Sequence, residues 1–354
     1  MHNLSFGNCQ KACSVVESLR IQFRRDKLVW FWFAIIALLC WSGSDLFSKI
    51  GCRDARDKYS HLKMVIAVGV VMGLHAAYEV FVNGVEINAQ IMLTYLPVSA
   101  LYILSMAMGY LGLRYIELSI SSPICNGSGA VTAIMSMLFF GVTFVEEDSN
   151  AVFLNTPIII GIALIVIGII ALGFVDNLED PELRIKRQQA ANRKYAKSVL
   201  AILLPVLYCV LDSLGTFVDT LIADNYVAGL EMSGLDIEMA ESVAGDVLNT
   251  AYEFTWLIMA VIFAIYVFGF KREKIDVKYD GTKLLGGICE TVGQVFYMMV
   301  VVKGYIPGLV IISAYCAVSL IWGRIFLKEK LSWKHYLAIA SAFAGILILG
   351  YFDV

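Results

Sequence analysis

Stretches of about 20 apolar residues recur along this chain, separated by short segments that hold most of its charge. Ten such stretches can be drawn. They are Leu28–Ile50, His61–Val82, Ala89–Leu111, Leu118–Phe144 and Pro157–Val175, then Ser198–Ile222, Val247–Phe270, Thr282–Val302, Gly308–Leu327 and Trp333–Phe352. Each is long enough to cross a hydrocarbon core. A backbone in lipid must satisfy its polar groups within its own helix or within a closed barrel, and runs of this length exceed barrel strands. The expectation is an all-α integral membrane protein with ten transmembrane helices. Composition supports it: 16% of the 354 residues are charged, against roughly 25% in soluble domains.

The runs divide the chain. Residues 1–27 form a polar, basic segment with Arg20, Arg24, Arg25 and Lys27, followed by a full-length run and no cleavage pattern, so it is not read as a signal peptide. Residues 28–176 carry five runs, and 177–197 form a basic amphipathic linker with Arg184, Lys186, Arg187, Arg193, Lys194 and Lys197. Residues 198–354 carry five more, interrupted by a loop at 224–246 with six acidic residues and no Lys or Arg.

The two halves echo one another. Gly168-Ile-Ile-Ala-Leu-Gly173-Phe-Val-Asp176 closes the fifth run and Gly345-Ile-Leu-Ile-Leu-Gly350-Tyr-Phe-Asp353 the tenth, at an offset of 177. Tyr115-Ile116 matches Tyr305-Ile306 at an offset of 190, and Ser44-Asp45-Leu46-Phe47-Ser48 resembles Asp212-Ser213-Leu214-Gly215-Thr216 at 168. The fall from 190 to 177 places extra residues in the acidic turn Glu146–Pro157. Five is odd, so two five-helix halves must point opposite ways. Inverted repeats of this kind belong to carriers that bind solute near the midplane.

Other classes fit poorly. A net charge of −3 with basic residues scattered over short loops provides no face for nucleic acid. The eight cysteines mostly sit in apolar runs, and Cys9 and Cys13 have no neighbouring His, so neither a metal site nor a disulfide framework is expected. No cofactor signature is found. An HExxH, a paired DDxxD or a Gly-x-Ser-x-Gly is also absent, which argues against an enzyme. A channel-like conductor of the same fold is the alternative to a carrier.

Trp41-Ser42-Gly43, the run Trp322-Gly323-Arg324-Ile325-Phe326-Leu327-Lys328-Glu329-Lys330-Leu331-Ser332, and the closing Gly345 and Gly350 helix carry a resemblance. Over Leu28–Phe352 the chain resembles the EamA-like branch of the drug/metabolite transporter superfamily. The resemblance implies two inverted repeats, a cavity between helices one to four and six to nine, and peripheral fifth and tenth helices. It implies a multi-pass protein of the cytoplasmic membrane, and a homodimer is compatible with it. Three features depart from the pattern: the longer acidic turn in the first half, Ala314-Tyr315-Cys316-Ala317 where relatives often have proline, and orientation. The charge count favours both termini outside, because the opposite arrangement puts 21 of the 27 Lys and Arg on the outer side. The superfamily usually keeps both termini in the cytoplasm.

Charged side chains deep in a span are costly and point to function. Asp45, Asp212 and Glu290 lie well inside their runs, with Gln294 one turn from Glu290, and His75 and Glu79 form an i, i+4 pair in the second. Asp219, Glu253, Lys49, Lys303 and Arg324 are expected nearer the interfaces, where long side chains snorkel. Trp41, Tyr78, Tyr297, Tyr315 and Trp322 could stack on a cation. Asn126 follows Pro123 among small residues in the fourth run, a pattern that can line a site. Gly69-x-x-x-Gly73 reads as packing. An interior with several carboxylates and one His suits a small cationic or zwitterionic solute, coupled to a proton or another cation.

Overall fold

A computed structural model describes residues 29–52, 57–115, 118–143, 152–153, 155–175, 199–303, 306–328 and 331–352. The segment 1–27 with Cys9 and Cys13, the basic linker 177–197, most of the acidic turn Glu146–Pro157, the Glu329 turn, and Ile116, Tyr305, Asp176 and Asp353 of the repeat signatures lie outside the described residues. The helices in chain order are α1 (Val29–Gly51), α2 (Ser60–Phe81), α3 (Ala89–Tyr115), α4 (Leu118–Asn126), α5 (Ser128–Phe140) and α6 (Thr156–Val175). They continue as α7 (Val199–Met232), α8 (Ile237–Ala264), α9 (Val277–Val301), α10 (Ile306–Ser313), α11 (Tyr315–Phe326) and α12 (Trp333–Phe352). A π-helical turn, Ile265–Phe270, prolongs α8. The two-residue strands β1 (Val142–Thr143) and β2 (Val152–Phe153) pair in parallel.

Seven segments are long and apolar enough to cross a membrane: Val29–Gly51, Ser60–Phe81, Ala89–Leu113, Leu203–Met232, Ile237–Phe270, Asp280–Val301 and Pro307–Phe326. Ile124–Phe140, Thr156–Leu172 and Trp333–Leu349 are shorter apolar helices. The surface reverses the soluble pattern. Leu74, Phe81, Leu138 and Leu347 are exposed, while Asp219, Glu253, Lys283 and Gln294 are buried. This is the make-up of a multi-pass helical membrane protein.

Two pairs of helices are stacked end to end with a one-residue break. At Gly127, between α4 and α5, the N–H donates to the Ile124 carbonyl, and at Ala314, between α10 and α11, it donates to Ile311. Both are i−3 bonds, the tighter 3₁₀ pattern that marks a local interruption. The first break lies four residues beyond Pro123, and the second lies seven beyond Pro307, at the far end of α10 from that proline.

Close packing is set by small residues. A Cβ on Gly69 would stand 2.5 Å from the Trp256 carbonyl oxygen, and one on Gly73 would stand 2.6 Å from Leu257, so this pair seats α2 against α8. α3 lies on α7, with Gly109 under Tyr208 and Gly215 under Tyr102; α1 lies on α9, with Gly293 under Trp41. α6 pairs with α12. Gly168 faces Ala338 and Ala342, Gly345 faces Gly161 and Ile165, and between them Ser341 Oγ donates to the Leu164 carbonyl at 2.9 Å. The contacts run in opposite directions along the two helices, which are therefore antiparallel.

The acidic loop expected at 224–246 is largely helical. α7 continues to Met232 and α8 begins at Ile237, leaving only a short turn at 233–236. Ala, Leu, Met and Glu through this stretch favour helix. Asp236 caps α8 by accepting from the Met239 N–H at 2.9 Å, and Gly234 supplies a positive φ of 101°. Acidity favours solvent without excluding helix, because charge and helix propensity are separate properties.

Candidate functional site

The helices leave a cavity between them, lined from α1, α3, α4, α5, α7, α8, α9, α10 and α11. Each aspartate in its wall is held from a broken helix. Asp45 on α1 accepts from Ser122 of α4 at 2.6 Å and from Ser319 of α11 at 2.8 Å, both at Oδ2. Asp212 on α7 accepts from Ser128 of α5 at 2.7 Å and from Ser105 of α3 at 3.5 Å. Serine is short, so these bonds bring the helix backbones close and fix the carboxylates in position.

Glu290 on α9 is the third cavity carboxylate, 7% exposed. Trp41 on α1 reaches its backbone carbonyl with Nε1 at 3.4 Å. One turn further along α9, Gln294 is 3% exposed, and its Nε2 has no hydrogen-bond partner. An unpaired buried donor costs about 1–3 kcal/mol, which makes this atom a ready contact for an acceptor entering the cavity. Asn126 also lines the wall, where its Nδ2 donates to the Ser122 carbonyl at 2.9 Å.

Aromatic faces surround the carboxylates. The Trp41 ring lies 5.1 Å from that of Tyr297 and 5.9 Å from that of Tyr315, centroid to centroid. Tyr102, Tyr110, Tyr208 and Tyr252 complete the wall. No lysine, arginine or histidine lines the cavity among the described residues. Its chemistry is acidic and aromatic, which suits an organic cation.

Seven of the nine expected site residues meet at this cavity: Asp45, Glu290, Gln294, Asp212, Asn126, Trp41 and Tyr315. His75 and Glu79 do not. α2 turns them toward α8, where His75 Nδ1 lies 2.8 Å from Glu253 Oε2 and Nε2 lies 3.4 Å from Glu79 Oε1. Asn249 Nδ2 also donates to Glu253, at 3.1 Å.

Three residues expected at the interfaces are buried within the bundle. Asp219 and Glu253 are each 0% exposed, Asp219 among Tyr95, Tyr102 and Tyr297 and Glu253 against His75 and Asn249. Lys49 is 4% exposed and donates from Nζ to the Leu113 carbonyl at 2.9 Å. Lys303, paired with Glu241 at 2.7 Å, and the exposed Arg324 fit the interface reading. Four of the wall tyrosines have no role in the sequence reading, and Asp219 has only the interface one. Asp212, Thr216 and Asp219 follow the i, i+4, i+7 spacing of one helix face, and Tyr95 and Tyr102 lie seven apart on α3. That periodicity was the available signal.

No protein-family model matches this chain, and no curated protein does. Solved structures do. One crystal structure is similar over 90% of this chain and 95% of its own length, with a TM-score of 0.55 and 13% sequence identity. A likeness at that identity shows a shared fold and nothing finer.

Proposed function

We propose that this chain is a secondary carrier for a small cationic or zwitterionic solute in the cytoplasmic membrane, working by alternating access. We place it with the drug/metabolite transporters as ten helices in two inverted repeats. The observation that carries the functional reading is the cavity wall, which holds three carboxylates and several aromatic rings and no cationic side chain among the described residues. Clustered carboxylates repel one another, and a cation between them relieves that repulsion in a medium of low dielectric. The orphan Gln294 Nε2 suits an acceptor on the same solute, such as the carboxylate of a zwitterion.

Three lines support the repeats. Seven span-length segments, two of the shorter apolar helices and the α4–α5 rod make ten crossings. On the α6–α12 face the 177-residue offset maps Gly168 with Ala338 and Ala342 onto Gly345 with Gly161 and Ile165, and it maps Leu164 onto its own partner Ser341. Equivalent positions meet in this way at a two-fold axis. Across the cavity, Asp45 of the first half is held by Ser319 of the second, and Asp212 of the second by Ser128 of the first.

The test is a thermal-shift screen of the purified protein against amines, amino acids, nucleosides and organic anions at two pH values, followed by flux in proteoliposomes. Cations or zwitterions should stabilise the wild type, and Asp45→Asn or Glu290→Gln should abolish the shift. Stabilisation by anions alone, or by cations equally in both variants, would sink the reading. Saturable, gradient-coupled flux separates a carrier from a channel.

A further inference from the structure

Asp219 lies beyond the cavity wall, yet it shares hydroxyls with it. The carboxylate is fully buried and receives Tyr95 Oη at 2.6 Å on Oδ1. On Oδ2 it has both Tyr102 Oη and Tyr297 Oη at 3.3 Å. Those two hydroxyl oxygens are 2.6 Å apart, and Tyr102 Oη also reaches Thr216 Oγ1 at 3.1 Å. Tyr102, Tyr297 and Thr216 line the cavity; Asp219 and Tyr95 do not. The ionisable groups around Asp219 are Tyr95 and Tyr102 from α3, Tyr252 from α8, Tyr297 from α9, and Asp212 and Asp224 on α7 itself. None is a cation.

Tyr102 and Tyr297 own two hydroxyl hydrogens between them. One occupies the 2.6 Å bond that joins them, and the other can point to either end of the chain. When Asp219 is ionised, Tyr102 donates to Tyr297 and Tyr297 donates to Oδ2. When Oδ2 carries a proton, it donates to Tyr297, Tyr297 to Tyr102, and Tyr102 to Thr216. Every hydroxyl keeps a partner in both states, so a proton on Asp219 reverses the chain without breaking it.

We propose that Asp219 is a proton site outside the cavity, exchanging protons with it through Tyr297, Tyr102 and Thr216. In transfer toward the cavity, the Oδ2 proton passes to Tyr297 Oη as the Tyr297 proton passes to Tyr102 Oη. The Tyr102 proton moves to Thr216 Oγ1, and the Thr216 proton leaves to a cavity acceptor. Each O–H bond that breaks is matched by one that forms, and the net result is one proton moved from Asp219 into the cavity. Asp212, one helical turn from Thr216 on α7, has the chemistry to receive it. Coupling and solute binding are then served by different carboxylates.

The inference rests on the carrier reading, and two measurements separate their failures. In proteoliposomes with tetraphenylphosphonium as probe, Asp219→Asn should retain probe binding and lose the acceleration of uptake by an imposed pH gradient. The loss should be about tenfold, within the usual range for linked sites. The double variant Tyr102→Phe/Tyr297→Phe, which removes both hydroxyls that reach Oδ2, should lose the pH drive as well, whereas Tyr95→Phe, which lies off the chain, should keep it. Wild-type pH drive in Asp219→Asn would overturn the inference. The second measurement needs no solute: infrared difference spectra of the purified protein between acid and alkaline pH should contain a protonated-carboxyl C=O band that Asp219→Asn removes. An unchanged band also overturns it. If the wild type takes up no cation, the carrier reading falls, and the infrared band alone decides whether Asp219 takes a proton.

Discussion

Adding a single methyl group at Gly345 tests the α6–α12 interface and, with it, the relation between the two halves. A Cβ there would stand 2.5 Å from the Gly161 carbonyl oxygen and 3.0 Å from the Ile165 amide nitrogen, where ordinary contact begins at 3.4 Å. Both obstacles are backbone and cannot rotate away. Helix α12 must therefore withdraw by roughly 0.9 Å, and overpacking of this kind costs about 1–3 kcal/mol. At Gly168 the nearest atom, the Ala338 carbonyl oxygen, would be 2.8 Å away, so the shift needed is smaller. The expected order is a drop of several degrees in the thermal midpoint of the detergent-solubilised protein for Gly345→Ala, and a lesser drop for Gly168→Ala. The double variant should behave much like Gly345→Ala alone, because one separation of the helices clears both clashes. Such coupling is expected only between sites that share a structural response. Gly229→Ala is the control: nothing lies within 4 Å of its Cβ position in α7, and Ala is favoured over Gly in a helix by about 0.5–1 kcal/mol. It should hold or raise the midpoint. Additive losses in the double variant, or no loss in Gly345→Ala, would refute the argument.

Three further outcomes are expected. Gln294→Leu removes the orphan donor, so it should leave the thermal midpoint unchanged or raised, by up to about 2 kcal/mol of stability, while weakening zwitterion binding more than binding of a simple amine in parallel titrations. Replacing Ser122 and Ser319 together by Ala should cost about 1–3 kcal/mol through the two bonds lost at Asp45 Oδ2, read as a lower midpoint that added cation partly restores. Glu253→Gln weakens a charge-assisted contact with His75 at the α2–α8 face and should lower the midpoint by about 1–3 kcal/mol of stability; because the site lies off the cavity wall, cation affinity should remain within about twofold, as for distant independent sites.

Apolar run length locates the seven span-length segments, and charge depth within the runs picks out Asp45, Asp212 and Glu290, which meet at the cavity. The burial of Asp219 and Glu253 is not legible in that depth, because it comes from side chains on other helices: Tyr95, Tyr102 and Tyr297 around Asp219, and His75 beside Glu253. An apolar count measures where lipid could begin; it does not measure where a helix stops. His75 and Glu79 were correctly seen as a pair, but which neighbour a helix face meets depends on packing between distant segments. Here small residues such as Gly69 commit that side of α2 to α8. The tyrosine wall was hidden for a related reason. Its members come from α3, α7, α8, α9 and α11, and a single Tyr in an apolar run does not indicate what it will face.

The helical α7–α8 hairpin also affects how this protein can be handled. At 34 residues α7 is about 51 Å long, against a hydrocarbon core of about 30 Å, so a stiff two-helix prong rises from one face. At its tip a Cβ on Gly234 would meet nothing within 4 Å. An epitope inserted there would be carried on a rigid stalk, clear of the cavity. Its accessibility in sealed vesicles would report which face carries the prong, and thereby the sidedness on which the loop charges and the family resemblance disagree. The same prong, standing out from a detergent micelle, is an alignment feature for electron microscopy.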